Sequence, residues 1–283
     1  MTRAQPLAPK QKKKNRSELL LRIASAVVLA AVAITATLAS IWSFLVLVLA
    51  ASVAMAWEWG RLIRGTGQDT VALVQIVSVA AAAILVVIGH AQYGFFLLAA
   101  AIVAIGVTDK PIERALWSSA GVAYAGLPVA ALLWIRGDEA LGAIAIIFVL
   151  VIAWTTDTVS YAAGRMLGGP KLAPRISPKK TWSGFIIGSV TPALIGYAFA
   201  YGVTGTSAWR LALLSIVLAL ACQFGDLMES AVKRRFGTKD MSQLIPGHGG
   251  LLDRIDGFLL AAAIAGLIAL RDPANPASGL LIW

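Results

Sequence analysis

The chain has 283 residues, of which 59% are hydrophobic and only 13% are Asp, Glu, Lys or Arg. A soluble domain of this size needs far more polar surface to cover its core, so soluble architectures are excluded. The formal net charge of +10 has no soluble domain to fold around DNA or RNA; it reads as a topology and anionic-lipid signal, and no nucleic-acid partner is expected.

With a mean hydropathy of +0.80 and repeated apolar runs of spanning length, the chain reads as an all-α polytopic membrane protein. Residues 1–17, including the run KQKKKNR, form a basic tail expected to be disordered up to about Asn15. The long apolar segment that follows, with no small-residue cleavage site, argues against a signal peptide. Spans are predicted near 20–39, 41–58, 71–89, 93–107, 115–135, 139–160, 183–203, 209–229 and 254–270, nine in all, with the first two broken only around Ser40. The first six (18–160) form an N-terminal membrane region. Residues 161–270 form a C-terminal catalytic region of three spans and two cytoplasmic loops, and 271–283 a short tail expected at the outer interface.

The positive-inside rule tests this count. With the N-terminus cytoplasmic, only Arg136, Arg210 and Arg271 of the 24 Lys and Arg fall outside. The unusual chemistry lies on the cytoplasmic side, in the connections Tyr161–Trp182 and Ser230–Asp253. The expected setting is the plasma membrane with the site facing the cytoplasm. The single cysteine, Cys222, cannot form an internal disulfide and reads as a packing residue.

Carboxylates mark the helix ends. Asp157 closes the sixth span (AWTTDTVSYAAGR), Asp226 and Glu229 close the eighth (CQFGDLMES), and Asp253 and Asp256 open the ninth (LLDRIDG). Ionisable groups at membrane depth are costly and face a cavity or a partner. Asp253 and Asp256 share a helix face, as do Asp226 and Ser230. A hairpin of the last two spans puts Asp226 opposite Asp253, and clustered carboxylate oxygens suit magnesium. Salt bridges to Arg234, Arg254 or Lys239 are the structural alternative, but three aspartates at these spacings beside a glycine-rich loop favour a metal site.

The loop PGHGG, Pro246–Gly250, leads into the ninth helix, where free amides can cradle phosphate; alone it would read as an ordinary turn. His248 within it is open to three readings: general acid, phosphate contact or turn residue. In RISPKKTWSG, Ser177 is expected to cap the seventh helix with Pro178 at its first position. Arg175, Lys179 and Lys180 then sit against the helix dipole, which points to a neighbouring anion such as a lipid or nucleotide phosphate. Together these features indicate magnesium-dependent phosphoryl or nucleotidyl transfer on a phosphorylated lipid, with the nucleotide left open.

The stretch SAVKRRFGTKDMSQLIPGHGGLLDRIDG, Ser230–Gly257, resembles the signature of the phosphatidate cytidylyltransferase (CDP-diacylglycerol synthase) family. Its fixed positions are Ser230, Lys233-Arg234, Lys239-Asp240, Pro246-Gly247-His248-Gly249-Gly250, Asp253-Arg254 and Asp256. DTVSYAAGRMLG, ISPKKTWSG and FGDLMES are similar to further blocks of that family, whereas the first five spans match only as hydrophobic helices. The resemblance implies that CTP and phosphatidic acid give CDP-diacylglycerol and pyrophosphate with Mg2+, a second monovalent cation sharing the site in some members. It implies Asp226, Asp253 and Asp256 as metal ligands, and Lys239, Asp240 and His248 as further catalytic residues. It implies Lys179, Lys180, Ser230, Lys233, Arg234, Gly249, Gly250 and Arg254 as contacts to CTP or lipid phosphate. A homodimer in the lipid bilayer is a further expectation. Because the attacking lipid phosphate is already anionic, no strong general base is needed.

Among alternatives, a CDP-alcohol phosphotransferase would carry Asp-Gly-x-x-Ala-Arg, which is absent. A lipid kinase would share the magnesium chemistry. An ion-coupled transporter is disfavoured by charge confined to one side, and a scaffold has no use for PGHGG.

Overall fold

The computed structural model describes residues 10–203, 205–244 and 249–282, with 10–23 as backbone alone. The basic run is helical from Lys10 onward, because α1 spans Lys10–Ala39. Ser40 turns the chain: its hydroxyl accepts from the Ser43 amide at 3.0 Å, and Ser43 Oγ returns the bond to the Ser40 amide, closing a capping box for α2 (Ile41–Arg64). The membrane layer continues with α3 (Thr70–Val87), α4 (Ala91–Thr108), α5 (Ile112–Arg136) and α6 (Gly142–Leu167). Asp69 caps α3 through the Ala72 amide and pairs with Arg64 at 2.6 Å. At the α4–α5 corner, burial works to raise the Asp109 pKa. Hydrogen bonds from Arg114 and Ser118 outweigh it and hold the carboxyl below the ordinary aspartate value.

Helix α5 is the innermost rod, with 72% of its apolar window buried. Around it, Met55, Leu98, Leu133, Ile146, Phe148, Leu218 and Leu252 are almost wholly enclosed in one continuous core. In a bilayer such contacts act through close packing, since lipid tails are as apolar as leucine.

After α6 the structure departs from an all-helical reading. Strand β1 (Lys171–Ala173) pairs antiparallel with β2 (Ser177–Thr181), Lys171 opposite Thr181 and Ala173 opposite Ser177. Ala173-Pro174-Arg175-Ile176 makes the turn, closed by the Ile176 amide on the Ala173 carbonyl at 3.1 Å, with Pro174 at its favoured second position. Ser177 and Pro178 are therefore strand residues. The cap of the next helix is Thr181, whose hydroxyl accepts from the Gly184 amide at 3.2 Å. Proline survives in β2 because this two-stranded ribbon consists of edges alone. The seventh span is two pieces, α7 (Trp182–Val190) and α8 (Pro192–Phe199), broken where Pro192 removes a donor.

Helices α9 (Ala208–Arg235) and α10 (Leu252–Ala269) pack as the expected hairpin. Gly225 and Gly257 set their approach. A Cβ on Gly225 would lie 2.8 Å from the Asp256 carbonyl, and one on Gly257 would lie 2.7 Å from the Cys222 carbonyl. Both obstacles are backbone, so neither can step aside. Gly257→Ala is accordingly expected to destabilise the protein by about 1–3 kcal/mol and to separate Asp226 from Asp256. Thermal unfolding in detergent checks it.

The C-terminal tail packs back onto the helices. Its residues Pro276–Leu281 form α11, with Leu280 and Leu281 fully buried. Asp138, from the α5–α6 link, caps this short helix through the amides of Ala277 and Ser278 at 3.1 and 3.3 Å.

Helices match all nine predicted segments. Among the described residues seven, with α7–α8 taken as one from Trp182 to Gly202, are long and apolar enough to cross a membrane. Ala24–Ala39 of α1 is a further apolar stretch among the described residues, and α10 opens with Asp253, Arg254 and Asp256.

Candidate active site

Polar residues return to α9 after its apolar run and repeat at helical spacing. Gln223 is buried and ties α9 to α7: its Nε2 donates to the Phe185 carbonyl at 2.8 Å and to Ser189 Oγ at 2.7 Å. One turn on, Asp226, Ser230 and Lys233 line up on one face. The start of α10 brings Asp253 and Asp256 against them, as the Gly225–Gly257 crossing requires.

The result is a cavity of about 590 Å³ between α6, the β-hairpin, α7, α9 and α10. That is within the usual range for a small-molecule site. Among the described residues its charged lining is Asp157, Asp226, Asp253 and Asp256 facing Arg165, Lys171, Lys179, Lys180, Lys233 and Arg254. Six cations against four carboxylates give the hollow a positive excess, which favours an anionic occupant. The hairpin supplies Lys171 from β1 and Lys179 and Lys180 from β2, so the strand that displaced the expected helix cap aims two lysines at the cavity.

Within the cavity, carboxylates and lysines hold one another. Lys180 Nζ lies 2.7 Å from Asp226 Oδ2. Lys233 pairs with Asp253 at 2.7 Å and with Glu229 one turn behind it on α9. Asp253 also accepts from the amides of Met241 and Gly250, at 3.0 and 2.9 Å. Asp256 accepts from the Gly257 amide at 2.8 Å. Ser230 Oγ is at 3.5 Å from Asp226, a long contact.

The three aspartates expected to bind metal thus share one cavity. Among the described residues, however, no three Asp, Glu, His or Cys side chains converge tightly enough to enclose an ion. The donor chemistry still fits a hard divalent cation: carboxylate oxygens from two packed helices, with the Asp226 side chain 38% exposed to the hollow and held by a single lysine.

Other predicted residues fall elsewhere. Arg234 braces the hairpin, donating to the carbonyls of Ile176 and Thr238 at 3.2 and 3.1 Å. Lys239 and Asp240 are exposed on the loop after α9, outside the cavity lining. The Gly250 amide, expected to face phosphate, turns to Asp253. His248 lies outside the described residues.

Sequence reasoning passed over Glu58. It sits on α2, fully buried, and receives Ser242 Oγ at 2.6 Å and the amides of Leu251 and Leu252 at 2.8 Å each. The signal was available: one carboxylate inside the otherwise apolar run VAMAWEW. Arg165 and Lys171 were read as topology charges, whereas the structure puts both on the cavity wall.

Comparison with known proteins bears directly on this site. The model of the cytidylyltransferase family matches residues 20–270. A phosphatidate cytidylyltransferase of Brucella abortus biovar 1 (strain 9-941) is 38% identical over 251 residues, covering 88% of this chain and 92% of its own. One from Brucella suis biovar 1 (strain 1330) gives the same figures. A phosphatidate cytidylyltransferase of Staphylococcus haemolyticus (strain JCSC1435) is 37% identical over 151 residues, 53% of this chain and 57% of its own. The match runs through the membrane core and takes in every residue of the charged cavity, and so the chain belongs to the cytidylyltransferase family.

Proposed function

We propose that this protein transfers the cytidylyl group of CTP to phosphatidic acid, releasing pyrophosphate and leaving CDP-diacylglycerol in the membrane. The observation that carries the reading is the single cavity in which aspartates of α6, α9 and α10 face lysines of the hairpin and α9. The names of the relatives supply the substrates.

In this reaction a phosphate oxygen of the lipid attacks the α-phosphorus of CTP, and the bond to the β-phosphate oxygen breaks, so pyrophosphate departs. The nucleophile is ionised at neutral pH, and no side chain need take its proton. What the protein must do is hold several phosphate charges together and in line. Lys179, Lys180, Lys171 and Arg254, which line the cavity, would meet them. Lys180 and Lys233 begin paired with Asp226 and Asp253; an arriving phosphate draws them off and frees the carboxylates. Asp226, Asp253 and Asp256 would hold Mg2+, which supplies charge neutralisation at the transferred phosphoryl group. Asp157, across the cavity on α6, would add to the field favouring a cation there.

The finer topology is part of the same proposal: nine spans, with the N-terminus and the cavity mouth on the cytoplasmic side of the plasma membrane. The positive-inside distribution supports it.

The test is incorporation of radiolabelled CTP into chloroform-soluble lipid by purified protein in detergent. Label is expected to appear only when both phosphatidic acid and magnesium are present. EDTA should abolish it and excess Mg2+ restore it. Incorporation without phosphatidic acid, or undiminished in EDTA, would remove the substrate or the metal from the proposal.

A further inference from the structure

A buried carboxylate outside the cavity meets the start of α10, the helix that carries two of the cavity's aspartates. The N-terminus of α10 carries amides that have no partner within the helix. The anion that meets them is the carboxylate of Glu58, from α2. Oε1 accepts from the Leu251 amide and from Ser242 Oγ, and Oε2 accepts from the Leu252 amide. The side chain is completely buried. Gly250 fits against it with nothing to spare, since a Cβ there would lie 2.7 Å from Glu58 Oε1 and 3.0 Å from Asp253 Oδ2. One residue before Leu251, the Gly250 amide binds Asp253. Two carboxylates therefore grip consecutive amides, Gly250 for Asp253 and Leu251 and Leu252 for Glu58. The Met241 amide on Asp253 and the Ser242 hydroxyl on Glu58 fasten the incoming loop to the same pair.

We propose that Glu58 is a positioning residue for nucleotidyl transfer: it clamps the loop and the first turn of α10 and thereby sets the place of Asp253 and Asp256 in the cavity. The claim deepens the proposed reaction and rests on it. Glu58 does not line the cavity, so it touches no substrate and acts through the helix it holds. A negative charge at a helix N-terminus is favourable, and here it accepts from two amides and a hydroxyl. Gln in its place keeps the shape but loses the charge, and one of its two acceptors becomes a donor facing an amide donor. Displacing reacting groups by even an ångström costs catalysis heavily.

The experiment measures initial rates against CTP concentration for full-length protein in lipid nanodiscs, together with amide hydrogen exchange over residues 249–256. Glu58→Gln is expected to lower kcat/KM by roughly 10- to 100-fold, with a raised KM for CTP, and to speed exchange at Leu251 and Leu252. Glu58→Asp and Ser242→Ala should move both readouts the same way by less. Glu113→Gln, which removes an exposed partner of Arg235, should change neither. A purely structural role would lower kcat in proportion to the folded fraction and leave KM and exchange untouched; that result overturns the proposal. If Glu58→Gln does not fold, Glu58→Asp and Ser242→Ala decide, and a kcat/KM within about twofold of wild type in both overturns it. Wild-type protein that makes no CDP-diacylglycerol defeats the reaction, not the clamp, which the exchange at Leu251 and Leu252 then decides.

Discussion

Asp253→Asn protein is expected to incorporate CTP at a rate lower by on the order of 100-fold or more, and Asp226→Asn should do the same, yet the two should differ in stability. Asp253 accepts from Lys233 and from the amides of Met241 and Gly250. An asparagine offers one carbonyl oxygen and turns its NH2 toward the remaining donors. Lys233 is left buried with Glu229 alone. The loop should loosen and stability fall by about 1–3 kcal/mol. Asp226 has one ion-pair partner, Lys180, and its side chain is 38% exposed; a partly exposed pair contributes little to folding. Asp226→Asn should therefore unfold near the wild-type temperature while losing turnover. Thermal unfolding alongside the incorporation assay separates the two effects. Wild-type rates in both variants would show that the acidic cluster is not where the reaction occurs.

Replacing Lys179 and Lys180 together by Ala is expected to reduce kcat/KM for CTP by on the order of 100-fold. Both lysines project from β2 onto the cavity wall. Their removal takes away two of six lining cations and leaves Asp226 without its ion pair. The hollow then holds four cations against four carboxylates and loses its positive excess, so binding of a polyanion weakens as well as turnover. Lys12→Ala with Lys13→Ala, which removes equal charge from the N-terminal run, should change kcat/KM by less than about twofold. Equal losses in the two double variants would reduce Lys179 and Lys180 to flanking charges that set topology.

The metal reading and the ion pairs can be held together. Each lysine that stands against an aspartate keeps a like-charged cluster from repelling itself before substrate arrives. A phosphate would offer such a lysine a second acceptor, and on the proposed reading the exchange would open carboxylate oxygen toward the centre of the cavity. Ligand charge and cation charge would enter together, which fits a site with strong charge of both signs.

Helix existence was legible because a bilayer demands about 20 apolar residues per span, and each of the nine predicted segments became helix. The partnership of Asp226 with the start of α10 was also legible, since consecutive spans must lie side by side and glycines stand at 225 and 257, where the rods cross. Motif spacing alone pointed to the family that the match over residues 20–270 then showed.

Other features were settled only by contacts between distant parts of the chain. Ser177-Pro178 has the local chemistry of a helix start, but Thr181 offers the same kind of cap four residues later. Pairing with β1 chose between them. Asp138 carries no sign in the sequence that it caps a helix near the C-terminus, and Glu58 none that it holds an amide 193 residues away. Periodicity and composition report what a residue prefers within a few turns of itself. A buried carboxylate instead takes whichever donors the packed fold delivers, and the cost of leaving it unpaired decides that choice over the whole chain at once.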